Sequence, residues 1–298
     1  MNLVNSGIAR LTIFFRKSAC FCLIVILLFS GVTLCIYISA PVDELHGVVT
    51  YGPPFKSYLR QAGLGLPDNL TLKDMPADLV LALMVGEDTE FPYHHGVALD
   101  KIYQSIERHF RLGEPLIGNS CITQQLVKNV FTGADHSFLR KYIEIIYSFK
   151  MERHFSKAEI FTLYVNVVQV GPDSFGLKQA AKDYFGKPVK QLNTMEDSFI
   201  VASLPAPVTF TRWFRERDER LVASMRWRMQ HILQYTLIIK NKLFAGKNPP
   251  DIDDNFFKSY FHGISIERYD GDTPNDDRFK LESEREIEDF IQRRVTSH

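Results

Sequence analysis

Residues 19 to 40, ACFCLIVILLFSGVTLCIYISA, are 22 consecutive positions without a formal charge. At a rise of about 1.5 Å per residue, a helix of that length crosses the ~30 Å hydrocarbon core of a bilayer. The run therefore predicts a cytoplasmic tail (1–18), a transmembrane helix (19–40) and a body outside the bilayer. Arg10, Arg16 and Lys17 precede it, while Asp43 and Glu44 follow. The positive-inside rule then places the N-terminus in the cytoplasm and the body on the periplasmic or extracytoplasmic side of the plasma (inner) membrane. A cleaved signal peptide is the competing reading, but its apolar core is ordinarily ~7 to 15 residues, and the small-residue cleavage site here is poor.

Three of the four cysteines, Cys20, Cys22 and Cys35, fall in the span, and only Cys121 lies beyond it. The exported part must then fold on packing alone, without a disulfide; the 45% apolar and 12% aromatic content of the whole chain is ample for a core. The formal charge balance of zero argues against a nucleic-acid partner. Charge is nevertheless uneven, since residues 251 to 298 carry 13 acidic and 7 basic side chains. The sequence holds no zinc-ligand spacing, phosphate-cradling glycine loop or GxSxG elbow, and no internal repeat.

A linker (41–70), rich in Gly and Pro over 47–68, leads into a helical body (71–245) and an acidic C-terminal extension (246–298). Asp74 with Pro76 predicts a helix start ahead of the stripe Leu79, Val80, Leu83 and Met84, which Glu87 continues. The helical period recurs through Leu99, Ile102, Ile106 and Phe110 up to Gly113. Ser137 predicts a cap for a helix to about His154, Ser156 with Glu159 a capping box, and Thr194 with Asp197 its acidic equivalent. A long pattern from Glu216 to Lys240 closes the body, and Leu281 to Val295 reads as an amphipathic helix on an appendage. Strand signals are few, a short pair within 45–60 or around 165–175, so the fold class is mainly α.

Between Gly118 and Asn129 the chain reads GNSCITQQLVKN. Only Ile122, Leu126 and Val127 supply a buried face, leaving Ser120, Thr123, Gln124, Gln125, Lys128 and Asn129 suited to line a groove for an anionic, hydroxyl-rich ligand. Glu87 lies in an apolar stripe, where an unpaired carboxylate costs several kcal/mol and its pKa rises toward that of a useful base. The plainer reading is a capped helix-end glutamate. Glu144 follows Arg140 and Lys141 by four and three positions, ordinarily a surface ion pair worth ~0.3 to 0.5 kcal/mol. Its neighbours Ile143, Ile145 and Ile146 suggest burial and a cleft wall instead. Phe91, Phe138, Phe149 and Phe155 read most simply as core. His94 and His95 are adjacent and lack a near third ligand, so no metal site is predicted and His94 is expected to bond locally.

EDTEFPYHHG (87–96), GNSCITQQLVKN, RKYIE (140–144) with ME (151–152), YVN to SFG (164–176) and LPAP (204–207) stand in an order and spacing that resemble the motif blocks of the family 51 peptidoglycan glycosyltransferases. The likeness covers roughly residues 75 to 210. Because no penicillin-binding transpeptidase domain follows, it points to the monofunctional, membrane-anchored members. It implies a lysozyme-like, mostly helical fold and polymerisation of lipid II onto a lipid-linked glycan chain at the membrane, with cell-wall synthesis proteins as further partners. By the match, Glu87 is the general base on the acceptor 4-hydroxyl and Glu144 acts on the donor side. Lys128, Arg140 and Lys141 would face the leaving pyrophosphate, and Asp88, Phe91 and His94 would shape the base's surroundings. Ser120, Thr123, Gln124, Gln125 and Asn129 would line the donor groove. The sequence requires no cofactor, although a divalent cation such as Mg2+ is compatible with a pyrophosphate leaving group.

The chain departs from the family pattern at Asn119 for a glycine, Cys121 for a threonine, His136 for an arginine and Ala98 for an aspartate. These bear on rate and pH range more than on reaction type. A lysozyme-like hydrolase explains Glu87 but not Lys128 and Arg140, and a weak or inactive scaffold is supported independently only by the acidic tail. The DxD matches at Asp251 and Asp270 are expected by chance in so acidic a segment.

Overall fold

The computed structural model describes residues 22–45, 69–113, 120–133, 137–172, 174–218, 220–257 and 285–293. Most of them are helical, and the one β feature among them is a single antiparallel bridge, Gln169 to Phe175, in one of the two regions predicted to hold a strand pair. The linker over 47–68, Asn119, His136 and the DxD at 270–272 lie outside the described residues.

Helix α1 (22–39) is apolar along its length and leads into a short 3-10 turn, Pro41–Leu45. As a candidate span it runs Cys22–Asp43. The body's centre is built from α2 (Ala77–Glu87), α8 (Thr194–Ser203) and α10 (Arg220–Phe244), which pack on one another. Every residue of α2 from Leu79 to Val85 is buried, so the helix is enclosed on all sides rather than along the predicted stripe. Gly86 permits this: a Cβ there would lie 2.4 Å from Val201 Cγ1, so only glycine lets the end of α2 close on α8 just before Glu87. From α10, Leu221, Met225, Met229, Ile232 and Ile239 fill the same core.

A second layer holds α4 (Ile122–Val127), continued by a π-helical turn (Lys128–Thr132), with α5 (Phe138–His154) and α6 (Lys157–Val167) packed around it. Helices α3 (Leu99–Leu112), α7 (Leu177–Phe185) and α9 (Pro207–Glu216) flank these layers. Ser137 and the Ser156 with Glu159 box cap α5 and α6 as expected. Two predicted caps shift. Asn193 with Glu196, not Thr194 with Asp197, opens α8, and Asp74 bonds back to Thr71 in a separate 3-10 turn, leaving Pro76 to precede α2. Asn193 accepts from Glu196 N at 3.0 Å, one residue earlier than the spacing suggests, whereas no side chain among the described residues caps α2.

Helix α1 docks on α5. The Thr33 and Tyr142 hydroxyls hydrogen-bond, and the Phe29 and Tyr142 rings lie 5.5 Å apart. Near the end of the span, Lys150 donates to Ala40 O at 2.7 Å and pairs with Asp43 at 3.0 Å, and His154 pairs with Asp43 at 2.8 Å.

Phe91 and Phe155 are core as predicted, but Phe138 is 98% exposed and Phe149 is largely exposed. The buried face of α5 is instead Glu144, Ile146, Ser148, Lys150 and Met151, which leaves its first residue projecting beyond the packed layer. The Leu99, Ile102, Ile106 and Phe110 face of α3 is also exposed, with Phe110 at 82%. The C-terminal extension, expected to be an appendage, contributes to the core. Phe256 and Phe257 are buried, each burial worth about 1.5 to 3 kcal/mol. In α11 (285–293), Ile287 and Ile291 are buried and Phe290 packs 6.2 Å from Phe185 and 6.1 Å from Phe199.

Candidate active site

Glu87 is the last residue of α2, delivered to the surface of the central core with its side chain 8% exposed. Its Oε1 accepts from Arg228 Nη2 of α10 at 2.8 Å, and its Oε2 accepts from Gln125 Nε2 of α4 at 2.8 Å. Loss of hydration pushes the Glu87 carboxyl above its ordinary range, and this outweighs the opposing pull of Arg228 and the Gln125 hydrogen bond. The Tyr164 hydroxyl donates to Gln125 Oε1 at 3.2 Å, which orients the amide so that its NH2 faces Glu87. Burial and the nearby Glu87 and Asp88 carboxylates hold that phenol well above its usual range, so it is a fixed donor.

Gln125 Nε2 also approaches the carbonyl of Ser120 at 3.4 Å, and the Ser120 hydroxyl accepts from Lys141 Nζ at 2.9 Å. Lys141 in turn pairs with Glu144 Oε1, and Arg140 Nη1 meets Glu144 Oε2 at 2.7 Å. Glu144 itself is 1% exposed. One buried carboxylate thus anchors two cations and leaves a surplus positive charge around it. A continuous hydrogen-bond path, Glu87 to Gln125 to Ser120 to Lys141 to Glu144, joins the two glutamates through the polar helix opening.

Asp88, next to Glu87, is buried, and its Oδ2 accepts from the Ile122 N–H at 3.0 Å and pairs with His94 Nε2 at 2.8 Å. Gly96 N donates to His94 Nδ1 at 3.1 Å, so Nδ1 is the acceptor and Nε2 carries the hydrogen. Gly96 has φ +93° and its missing Cβ would sit 2.7 Å from Ser148 O, which locks the 88–97 loop onto α5. The Phe91 ring lies edge-on to His94 at 6.1 Å, and Lys157 Nζ sits 4.6 Å over Phe91 while donating to His94 O at 2.7 Å.

The remaining sequence-selected residues divide. Thr123 and Gln124 are buried: Thr123 donates to Glu152 and Gln124 closes the α4 cap onto Cys121 N, so both hold the helix from inside. Asn129 is half-buried and donates to Val167 O at 3.3 Å, while Lys128 is exposed on the π turn. His136 is not among the described residues. Sequence reading passed over Arg228, Tyr164, Glu152 and Lys157 as site residues. Arg228 stands one position before Met229 of the α10 core stripe, and a cation at a stripe edge was the one available signal. Tyr164 lies inside a quoted motif but reads equally as core.

Asp88, His94 and Cys121 offer one oxygen, one nitrogen and one sulfur within 4.8 Å of one another. Burial and Asp88 push the Cys121 thiol up to about 12, and it donates to Gly96 O. Such a mixed donor set does not suit Mg2+, which takes oxygen ligands. Around Glu144 the cations are the Arg140 guanidinium and the Lys141 ammonium group.

A desolvated carboxylate and a cation-clamped carboxylate, joined by hydrogen bonds through one polar helix opening, suit an enzyme acting on an anionic substrate. A family model described as Transglycosylase matches residues 66–235. The chain belongs to that family. It is 35% identical over 166 residues to a biosynthetic peptidoglycan transglycosylase of Acinetobacter baumannii, covering 56% of this chain and 71% of that protein. A namesake from Pectobacterium carotovorum is 35% identical over 164 residues, 53% and 67% of the two chains. Penicillin-binding protein 1A of Pseudomonas aeruginosa is 30% identical over 232 residues, which is 76% of this chain and 28% of that protein.

Proposed function

We propose that the protein polymerises peptidoglycan glycan chains from lipid II by inverting glycosyl transfer. The acceptor 4-hydroxyl oxygen attacks the donor anomeric carbon, a new C–O bond forms as the bond to pyrophosphate oxygen breaks, and Glu87 takes the hydroxyl proton. Both Glu87 oxygens accept one hydrogen bond each, and each keeps a second lone pair for the incoming hydroxyl. Charge developing on the lipid pyrophosphate meets Arg140 and Lys141, with the exposed Lys128 as a further cation. A base on one side and a stabilised leaving group on the other suffice for inversion without a covalent sugar intermediate; inverting glycosidases obey the same logic with water as acceptor. The observation that supports this reading is the hydrogen-bond path that joins Glu87 to Glu144.

Membrane attachment follows from how α5 meets α1. Tyr142 touches Phe29 and Thr33 in the middle of the span, whereas Lys150 and His154 touch Ala40 and Asp43 near its end. The start of α5, with exposed Phe138 and Leu139, thereby lies alongside the apolar helix α1, and these exposed apolar side chains support a body seated against a lipid surface. The exposed apolar face of α3 is a second surface of the same character. The N-terminus is read as cytoplasmic and the body as extracytoplasmic, beside the proteins of cell-wall synthesis.

Purified full-length protein incubated with lipid II is expected to yield glycan polymer on a gel, and Glu87→Gln to yield none. Digestion of finished peptidoglycan without polymer would replace this reading with hydrolysis, and inactivity of the wild type in both assays with a scaffold.

A further inference from the structure

The family match ends at residue 235, yet a segment beyond it reaches the support of the catalytic loop. Residues 253–257 form a short helical turn in which Asp253 Oδ1 accepts from Phe256 N at 2.9 Å. Asp254 Oδ1 accepts from Ala158 N at 3.0 Å, so it caps the first turn of α6 and fixes the turn to the body. The turn drives Phe257 inward, where its ring lies 5.7 Å from Phe91, edge-on at 84°, and 5.4 Å from Phe161. Phe256 packs behind it at 5.5 Å. Phe91 is fully buried, so its ring is held by Phe257 and Phe161 (5.9 Å) on one side and faces His94 and Lys157 on the other.

We propose that Phe257, on its Asp253 and Asp254 turn, is a positioning residue for this transglycosylase. It sets Phe91, Phe91 sets the His94 imidazole, and His94 holds Asp88 beside the base Glu87. The inference rests on the reading of Glu87 as the base. It gives the acidic extension a task inside its own chain: two of its aspartates fix the turn that buttresses the site. The second anchor of the extension, Phe290, packs on Phe185 and Phe199 and serves as the internal control.

The test uses full-length protein in detergent micelles, with lipid II polymerisation kinetics and side-chain nitrogen NMR of His94, assigned by loss of its signals in His94→Gln. Phe257→Ala is expected to lower kcat about 10- to 100-fold with KM within a few-fold, and to move the His94 nitrogen signals. Phe257→Leu should restore most of both, and Phe290→Ala should leave both near wild type. Wild-type kcat and unmoved His94 signals in folded Phe257→Ala would overturn the proposal, as would an equal loss in Phe290→Ala. Should Phe257→Ala not fold, Asp254→Asn and Phe257→Leu carry the same comparison: graded shifts of the His94 signals support the proposal and unmoved signals reject it. Absence of polymer from wild type refutes the functional reading instead, and the His94 signals still decide whether Phe257 positions the loop.

Discussion

Glu87 and Glu144 stand at the two ends of one hydrogen-bond path, and their surroundings differ in kind. Glu87 closes a helix that is buried from Leu79 to Val85, and its charged hydrogen-bond partner among the described residues, Arg228, comes from α10, far away in the sequence. Glu144 lies mid-helix, with two cations from the preceding turn of its own helix on its two oxygens. Desolvation dominates at the first and raises its proton affinity. At the second, ion pairing holds Arg140 and Lys141 in place. The same side chain thus gains proton affinity where water is removed and holds cations where charge is supplied, which is what the proposed roles of base and clamp require. A third buried carboxylate, Asp197, shows desolvation with less relief: neither oxygen has a hydrogen-bond partner among the described residues, and burial followed by repulsion from Asp78 and Glu196 pushes it up to about 8.

The largest effect should come from removing the base: Glu87→Gln is expected to cut the polymerisation rate by about 10²- to 10⁴-fold with little loss of thermal stability, measured by gel and by melting. On the clamp side, Lys141→Met should cost about 10²- to 10³-fold in kcat. Glu144→Gln should instead be mainly a stability lesion, of about 1 to 3 kcal/mol, because it takes the counter-charge from Arg140 and the partly exposed Lys141; a denaturant titration separates the two. Tyr164→Phe removes the donor that orients Gln125 and should lower kcat by about 5-fold, consistent with one hydrogen bond worth ~1 kcal/mol. The smallest effect on activity should come from Asp197→Ala. The folded pKa of Asp197 lies above the unfolded 3.8, so the folded state binds the proton more tightly. Its contribution to stability is full below about pH 4, falls as pH rises through 8, and levels off beyond. Melting of Asp197→Ala should therefore exceed wild type most at pH 8 and least at pH 4.

The mainly helical body and both glutamates were legible in the sequence because period, caps and motif spacing are local. Ser137 and Ser156 cap the helices they were expected to cap, and Arg140, Lys141 and Glu144 meet as one-turn spacing requires. What could not be read depends on distant segments. Arg228 reaches Glu87 across 141 positions of sequence. Phe138 was expected in the core because aromatic residues usually bury, but as the first residue of α5 it projects beyond the packed layer and is 98% exposed. Phe257 carried no signal inside an acidic, DxD-bearing tail, because its partners Phe91 and Phe161 lie far upstream. Thr123 and Gln124 looked like groove residues from composition alone, whereas helix geometry turns them inward.

The division of labour between the glutamates is tested most directly by the pH dependence of kcat/KM for lipid II polymerisation in wild type, Arg228→Met and Lys141→Met. Arg228 pulls the Glu87 pKa down, so its removal raises that pKa further. Activity, which needs the ionised base, should then be lost at a higher pH on the acid side. Lys141→Met should lower the rate across the profile and leave that acid limb where it is in wild type. An acid limb that moves with Lys141 and stays fixed on loss of Arg228 would contradict the assignment of Glu87 as the base.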